Sequence, residues 1–209
     1  MRHTSSHHLF AYWNETRNGR PAPRRFDIEP SRISHLLADT LILEMTETRG
    51  FRFRLAGTRI CEQFGTELRG ADFFALWDEE GDRISLERSL DAICGEAKVG
   101  VFDFTAKTAT GDVATFEMIL LPLIHTRGLI DRCLGAISIA FGTVWTGDAP
   151  LTNHHLTSAR LFQPEQDDGY QVGERPSLSS IRTARIVRAE RRQFRVYDGG
   201  RAHERAHDD

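Results

Sequence analysis

RLAGTRICEQFGTELRG, residues 54–70, is the stretch on which the fold turns. Just upstream, FRFRL alternates Phe51, Phe53 and Leu55 with Arg52 and Arg54, the period of a strand with one face in water. After Gly57 the period changes. Ile60 and Phe64 stand one helical turn apart, and Gly65 and Gly70 then interrupt the chain in quick succession. A long scaffold helix would not be broken so soon, and a hairpin would not carry helical spacing. The stretch therefore predicts a sheet that hands the chain to short helices walling a space over one of its faces.

The neighbouring segments extend this pattern. LILEM, residues 41–45, is a short apolar run that pairs with FRFRL as an antiparallel hairpin across Thr46 to Gly50. Beyond Phe73, Phe74 and Trp77, the segment from Asp82 to Ala97 places Leu86, Leu90, Ile93, Cys94 and Ala97 on one helical stripe, with Asp82 available as a cap. Three strand segments follow: VGVFDFTAKT, VATFEMILLPL and CLGAISIAFG. TGD at 110–112 signals a tight turn between the first two, and HTRGLIDR a longer link before the third. The expected class is α+β, a five-stranded antiparallel sheet covered by short helices.

Two helices precede the sheet. Leu9, Tyr12, Trp13 and Thr16 have helical spacing that ends at Asn18-Gly19, and Pro21 and Pro23 force an extended connection. Pro30 suits a first helical position ahead of Ile33, Leu36 and Leu37. Beyond Gly142 turn formers dominate and periodicity fades. The organisation expected is a helical extension over 1–39, the sheet domain over 40–142, and an irregular linker with an arginine-rich tail over 143–209.

Composition sets the class. The 209 residues suffice for one well-buried core, and 40% hydrophobic residues, 27% charged residues and a net charge of −3 are ordinary for a globular chain. No apolar run approaches the roughly 20 residues of a membrane span, and MRHTSSHHLFAYWNE turns polar too soon for a signal peptide, so a cytoplasmic location is expected. Cys61, Cys94 and Cys133 are odd in number and far apart, which predicts reduced thiols rather than a disulfide framework.

The order of elements over residues 40–142 resembles a PAS domain. YWNETRNGRPAPRRFDIEPSRISHLL and FRLAGTRICEQFGTELRGADFFALW are similar to the leader and middle of a family of small stand-alone bacterial PAS proteins of alphaproteobacterial type. The resemblance implies a sensory or adaptor protein that signals through ligand-dependent or surface-dependent contacts with other proteins. It selects no cofactor. Residues 82–97 lack the histidine that haem-binding relatives place on the longer helix, and the Asn-Cys-Arg-Phe sequence of flavin photosensors does not occur.

A ligand, where one binds, would be walled by Phe64, Phe74, Leu90 and Cys94 on the helical side and by Phe102, Phe104, Phe116 and Met118 on the strands. The same residues serve equally as plain core, because apolar faces need burial whether or not a ligand exists. Tyr12 and Trp13 pack either on the domain's own outer face or against a second subunit, so a homodimer is the partner expectation. Nine histidines, His154 and His155 among them, show no HExxH or paired-cysteine pattern, and no metal site is expected.

Catalysis is not expected. Asp72, Asp78, Glu79, Glu80 and Asp82 read as solvated capping residues, and Ser85 and Ser89 have no neighbouring histidine in sequence. The alternative is a small enzyme with a cone-shaped pocket on a curved sheet, which needs an acid or histidine inside the cone and which a buried His125 paired with Asp103 would support. Arg182, Arg185, Arg188, Arg191, Arg192 and Arg195 recur at helical spacing, but Glu190 interrupts them, so a solvated face is expected rather than nucleic-acid binding.

Overall fold

The computed structural model describes residues 1–125, 128–140 and 149–165. Within them six strands form one antiparallel sheet: β1 (Thr40–Met45), β2 (Phe51–Ala56), β3 (Val99–Thr108), β4 (Val113–Ile124), β5 (Ile130–Ile139) and β6 (Leu151–Phe162). Their spatial order is β2-β1-β5-β4-β3-β6. Helices α2 (Thr58–Phe64) and α3 (Glu80–Glu96) follow β2, while α1 (Thr4–Arg17) and a kinked 3-10 segment (Pro30–Asp39) precede β1.

The central strands alternate between two apolar faces. Phe102 and Phe104 of β3, Phe116, Met118 and Leu120 of β4, and Cys133 and Ile137 of β5 face an inner core shared with Ile60, Phe64, Leu86, Leu90 and Ile93. The intervening Val101, Ile119, Leu121, Leu123, Leu134 and Ala136 face an outer core shared with Leu9, Trp13, Ile33 and Leu36. A sheet apolar on both faces must be covered twice, and the chain does this with α2 and α3 on one side and α1 with the 30–39 segment on the other.

Local chemistry sets the breaks. Asn18 takes a left-handed conformation at the end of α1, as does Gly65 at the end of α2. Gly57, at the exit from β2, lies against the carbonyls of Leu37 and Ala38, so a Cβ there would collide with backbone. The longer helix begins earlier than its apolar stripe suggests, with Glu79 at the cap position. Asp82 is not the cap: it is buried and accepts from the Leu156 amide at 2.8 Å, with His155 Nδ1 at 3.0 Å.

That contact belongs to the main correction to the expected architecture. The sheet has six strands, not five, because residues 151–162, read as irregular, form β6 along the free side of β3. Leu151 is fully buried, and His154 is buried against Phe64, Trp77 and Phe104, with ring centroids 4.7, 6.2 and 6.3 Å away. The arginine-rich tail lies outside the described residues.

A chain ending at residue 165 is expected to keep the thermal midpoint of the full chain. One ending at residue 142 loses β6 and uncovers β3, and its midpoint should fall by on the order of 5–10 °C in a calorimetric scan. Equal midpoints would show β6 to be dispensable.

Candidate functional site

The residues expected to line a pocket meet in the inner core. Phe104 and Phe116 stack with centroids 5.0 Å apart, Trp77 meets Phe104 edge-on at 5.3 Å, and Phe102 fills the space beside Gly100. Leu90, Phe102 and Met118 are fully buried, Phe64 nearly so, and Phe74 and Cys94 sit at the margin.

Cys94 carries one feature that sequence separation hid. It lies on α3 beside Cys133 of β5, and that neighbour together with full burial pushes the Cys133 thiol well above its ordinary value. Cys94 itself borders a surface cleft of about 650 Å³ with Asp91, Met45 and Ile130. Among the described residues no cluster of three or more histidine, cysteine or acidic groups is placed to hold a metal ion.

Within the single chain Tyr12 and Trp13 pack on its own sheet, and both are buried. Trp13 donates from Nε1 to the Pro122 carbonyl at 2.8 Å, and the Tyr12 hydroxyl accepts from the Glu29 amide at 2.6 Å. Neither side chain is exposed on the single chain. The outward stripe of α1 is instead Thr4, His8, Ala11 and Glu15.

The start of α1 is held by a group that sequence patterning passed over. Glu117, on the outer face of β4, is buried and accepts from the backbone amides of Arg2 at 2.6 Å and His3 at 3.0 Å. A carboxylate at the entry of a helix satisfies donors that have no partner in the helix and complements its dipole. Burial pushes the Glu117 carboxyl up. The Ser6 hydroxyl, beside it but outside good hydrogen-bond geometry, and the two amides outweigh burial and hold it below the usual carboxylate range. Asp103, opposite Glu117 in register, forms an ion pair with Arg2 at 2.5 Å.

The Asp103–Arg2 pair bears on the enzyme alternative. His125 lies past the end of β4 beside Phe26, with ring centroids 5.6 Å apart, and Asp103 pairs with Arg2 rather than with His125. No helix among the described residues is long and apolar enough to cross a membrane.

The described chain is thus an antiparallel sheet clad in helices on both faces, with its first helix held to the outer face. A family model described as a PAS domain matches residues 1–138, and the chain belongs to the PAS domain family. The match includes α1 and ends before β6. Among solved structures, a point variant of RsLOV is similar, with 12% identity over 70% of this chain and 74% of that chain and a TM-score of 0.40. No curated protein matches the sequence.

Two outcomes follow from these contacts. Trp13→Phe removes the bond to the Pro122 carbonyl and should cost about 1–3 kcal/mol in denaturant unfolding, against about 3–5 kcal/mol for Trp13→Ala. His154 provides a pH signature: burial lowers its pKa below 6.5, against the opposing effects of the Leu76 carbonyl and Asp78. The unfolded chain therefore binds more protons just below pH 6.5. Stability is full above that value and falls as pH drops through the lowered pKa. In unfolding curves collected across this range, His154→Asn should flatten the slope.

Proposed function

We propose that the protein is a non-catalytic sensory or adaptor module whose output is a change in the docking of α1, read by another protein or by a second copy of the chain. The observation that carries this reading is the placement of Glu117. Its neighbours in β4, Phe116 and Met118, point into the inner core, while Glu117 itself grips the start of α1 on the opposite face. A shift of β4 caused by any event in the inner core moves the latch by the same rigid displacement.

The latch has identifiable polar fasteners. Glu117 and Trp13 supply the buried polar contacts between α1 and β4, and Arg17 continues the attachment by lying over the Trp13 ring at 5.5 Å. Release of α1 uncovers an apolar face, so the released arrangement lies well above the docked one in free energy until a partner covers that face. A partner that prefers one of them shifts the population by its difference in affinity. Release would expose Leu9, Tyr12 and Trp13 together with the outer face of the sheet, a surface suited to a homodimer or a signalling partner.

The test uses the full chain and its Glu117→Ala variant. Amide exchange over residues 4–17 should quicken in the variant by about tenfold or more while exchange in β3 to β5 holds, and native mass spectrometry should show a changed monomer-to-dimer ratio. Unchanged exchange together with an unchanged subunit count would overturn the latch reading.

A further inference from the structure

A second, separate site lies at the corner of the outer face that α1 leaves open. The cleft there has a volume of about 710 Å³, within the range of small-molecule sites. Arg25, Arg54, Arg69 and Arg132 line it, with Phe26 and His125 on one wall and Ile42 and Leu55 on its apolar side. These residues come from the segment before the 30–39 helix, from β1, β2 and β5, from the chain after α2, and from the end of β4.

The charge in this corner is unbalanced. Glu44 is the shared acid for Arg132, Arg52 and Arg54, at 3.3, 3.6 and 4.0 Å. Glu67, on the rim, accepts from the Arg69 amide at 2.9 Å. Five guanidinium groups thus face two carboxylates, and neither Arg25 nor Arg69 has an acid within ion-pair distance among the described residues.

Two of the lining side chains are half-buried. The Arg132 side chain is only 12% exposed, and its Nε is buried with no partner. His125 Nδ1 is buried and equally unpartnered. Neither atom has accessible surface, so a ligand in the cleft would meet the other edges of these two side chains. Beside these groups Phe26 is 82% exposed, an unusual position for a large aromatic ring, and it stands next to the His125 imidazole.

We propose that this cleft binds a phosphorylated small molecule carrying a planar ring, of the nucleotide class. Guanidinium forks match phosphate oxygens in geometry as well as charge, and Arg132, Arg69 and Arg25 supply them from three sides. The exposed Phe26 ring and the His125 imidazole offer flat surfaces for a base, with Leu55, 41% exposed, covering its edge. Inorganic phosphate alone would use the arginines and leave Phe26 in water. The assignment does not rest on the α1 latch, which occupies a different part of the outer face.

Isothermal titration calorimetry of the full chain with AMP, GMP, adenosine, guanosine and inorganic phosphate tests it. AMP or GMP should bind, with the matching nucleoside and inorganic phosphate each at least about tenfold weaker. Phe26→Ala and Arg69→Gln, both at the cleft rim and away from the core, should each weaken the nucleotide by about tenfold while circular dichroism holds. Absence of nucleotide binding, phosphate binding as tightly as nucleotide, or affinity unchanged in both variants would each overturn the proposal. The last outcome would place any binding elsewhere, as on the arginine-rich segment beyond residue 180.

Discussion

Everything in this chain depends on a sheet with no wet face over its central strands. β3, β4 and β5 present apolar side chains in both directions, so neither face is stable until something covers it. The inner cover comes from helices inserted between β2 and β3, the outer cover from the residues that precede β1. The N-terminal helix is therefore a structural half of the protein rather than an appendage, and the family match that begins at residue 1 agrees with that status.

Hydrophobic cover alone would leave α1 free to slide, because apolar contact has little directionality. The polar groups under it fix the register. Glu117 sets where the helix begins, Trp13 pins its middle to Pro122, and Tyr12 ties it to Glu29 in the segment that leads to β1. Each of these groups is buried, so each contributes more by being paired than it would in water and would cost more if its partner were removed. The inner face relies on shape instead, with interlocked rings from Phe53, Phe73, Trp77, Phe104 and Phe116.

The alternating run at 51–55, the stripe from Leu86 to Cys94 and the three apolar strands were legible because their local period is set by burial on a single face or stripe. β6 was not. LTNHHLTSARLF lies at the margin of the sheet, Asn153 adopts a left-handed backbone, and two register shifts interrupt its pairing with β3, so no clean period of two survives. Pairings between distant residues were illegible for a different reason. Glu117 with the amides of residues 2 and 3, Asp82 with Leu156, and Cys94 with Cys133 depend on topology, which local spacing does not encode. The arginine cleft drew on six separate pieces of chain, each unremarkable alone.

The two margins of the sheet have one more consequence. The outer side of β2 is already occupied, since Phe53 donates to Ala71 and accepts from Gly70, and Phe73 donates to Phe51. The other margin, β6, is bulged and carries Thr152, His155 and Arg160 into solvent. Among the described residues the β2 margin is thus closed to further pairing, and the register shifts and exposed polar side chains of β6 disfavour edge-to-edge joining there. Recognition is left to side chains, where charge and shape discriminate between partners and a bare backbone would not.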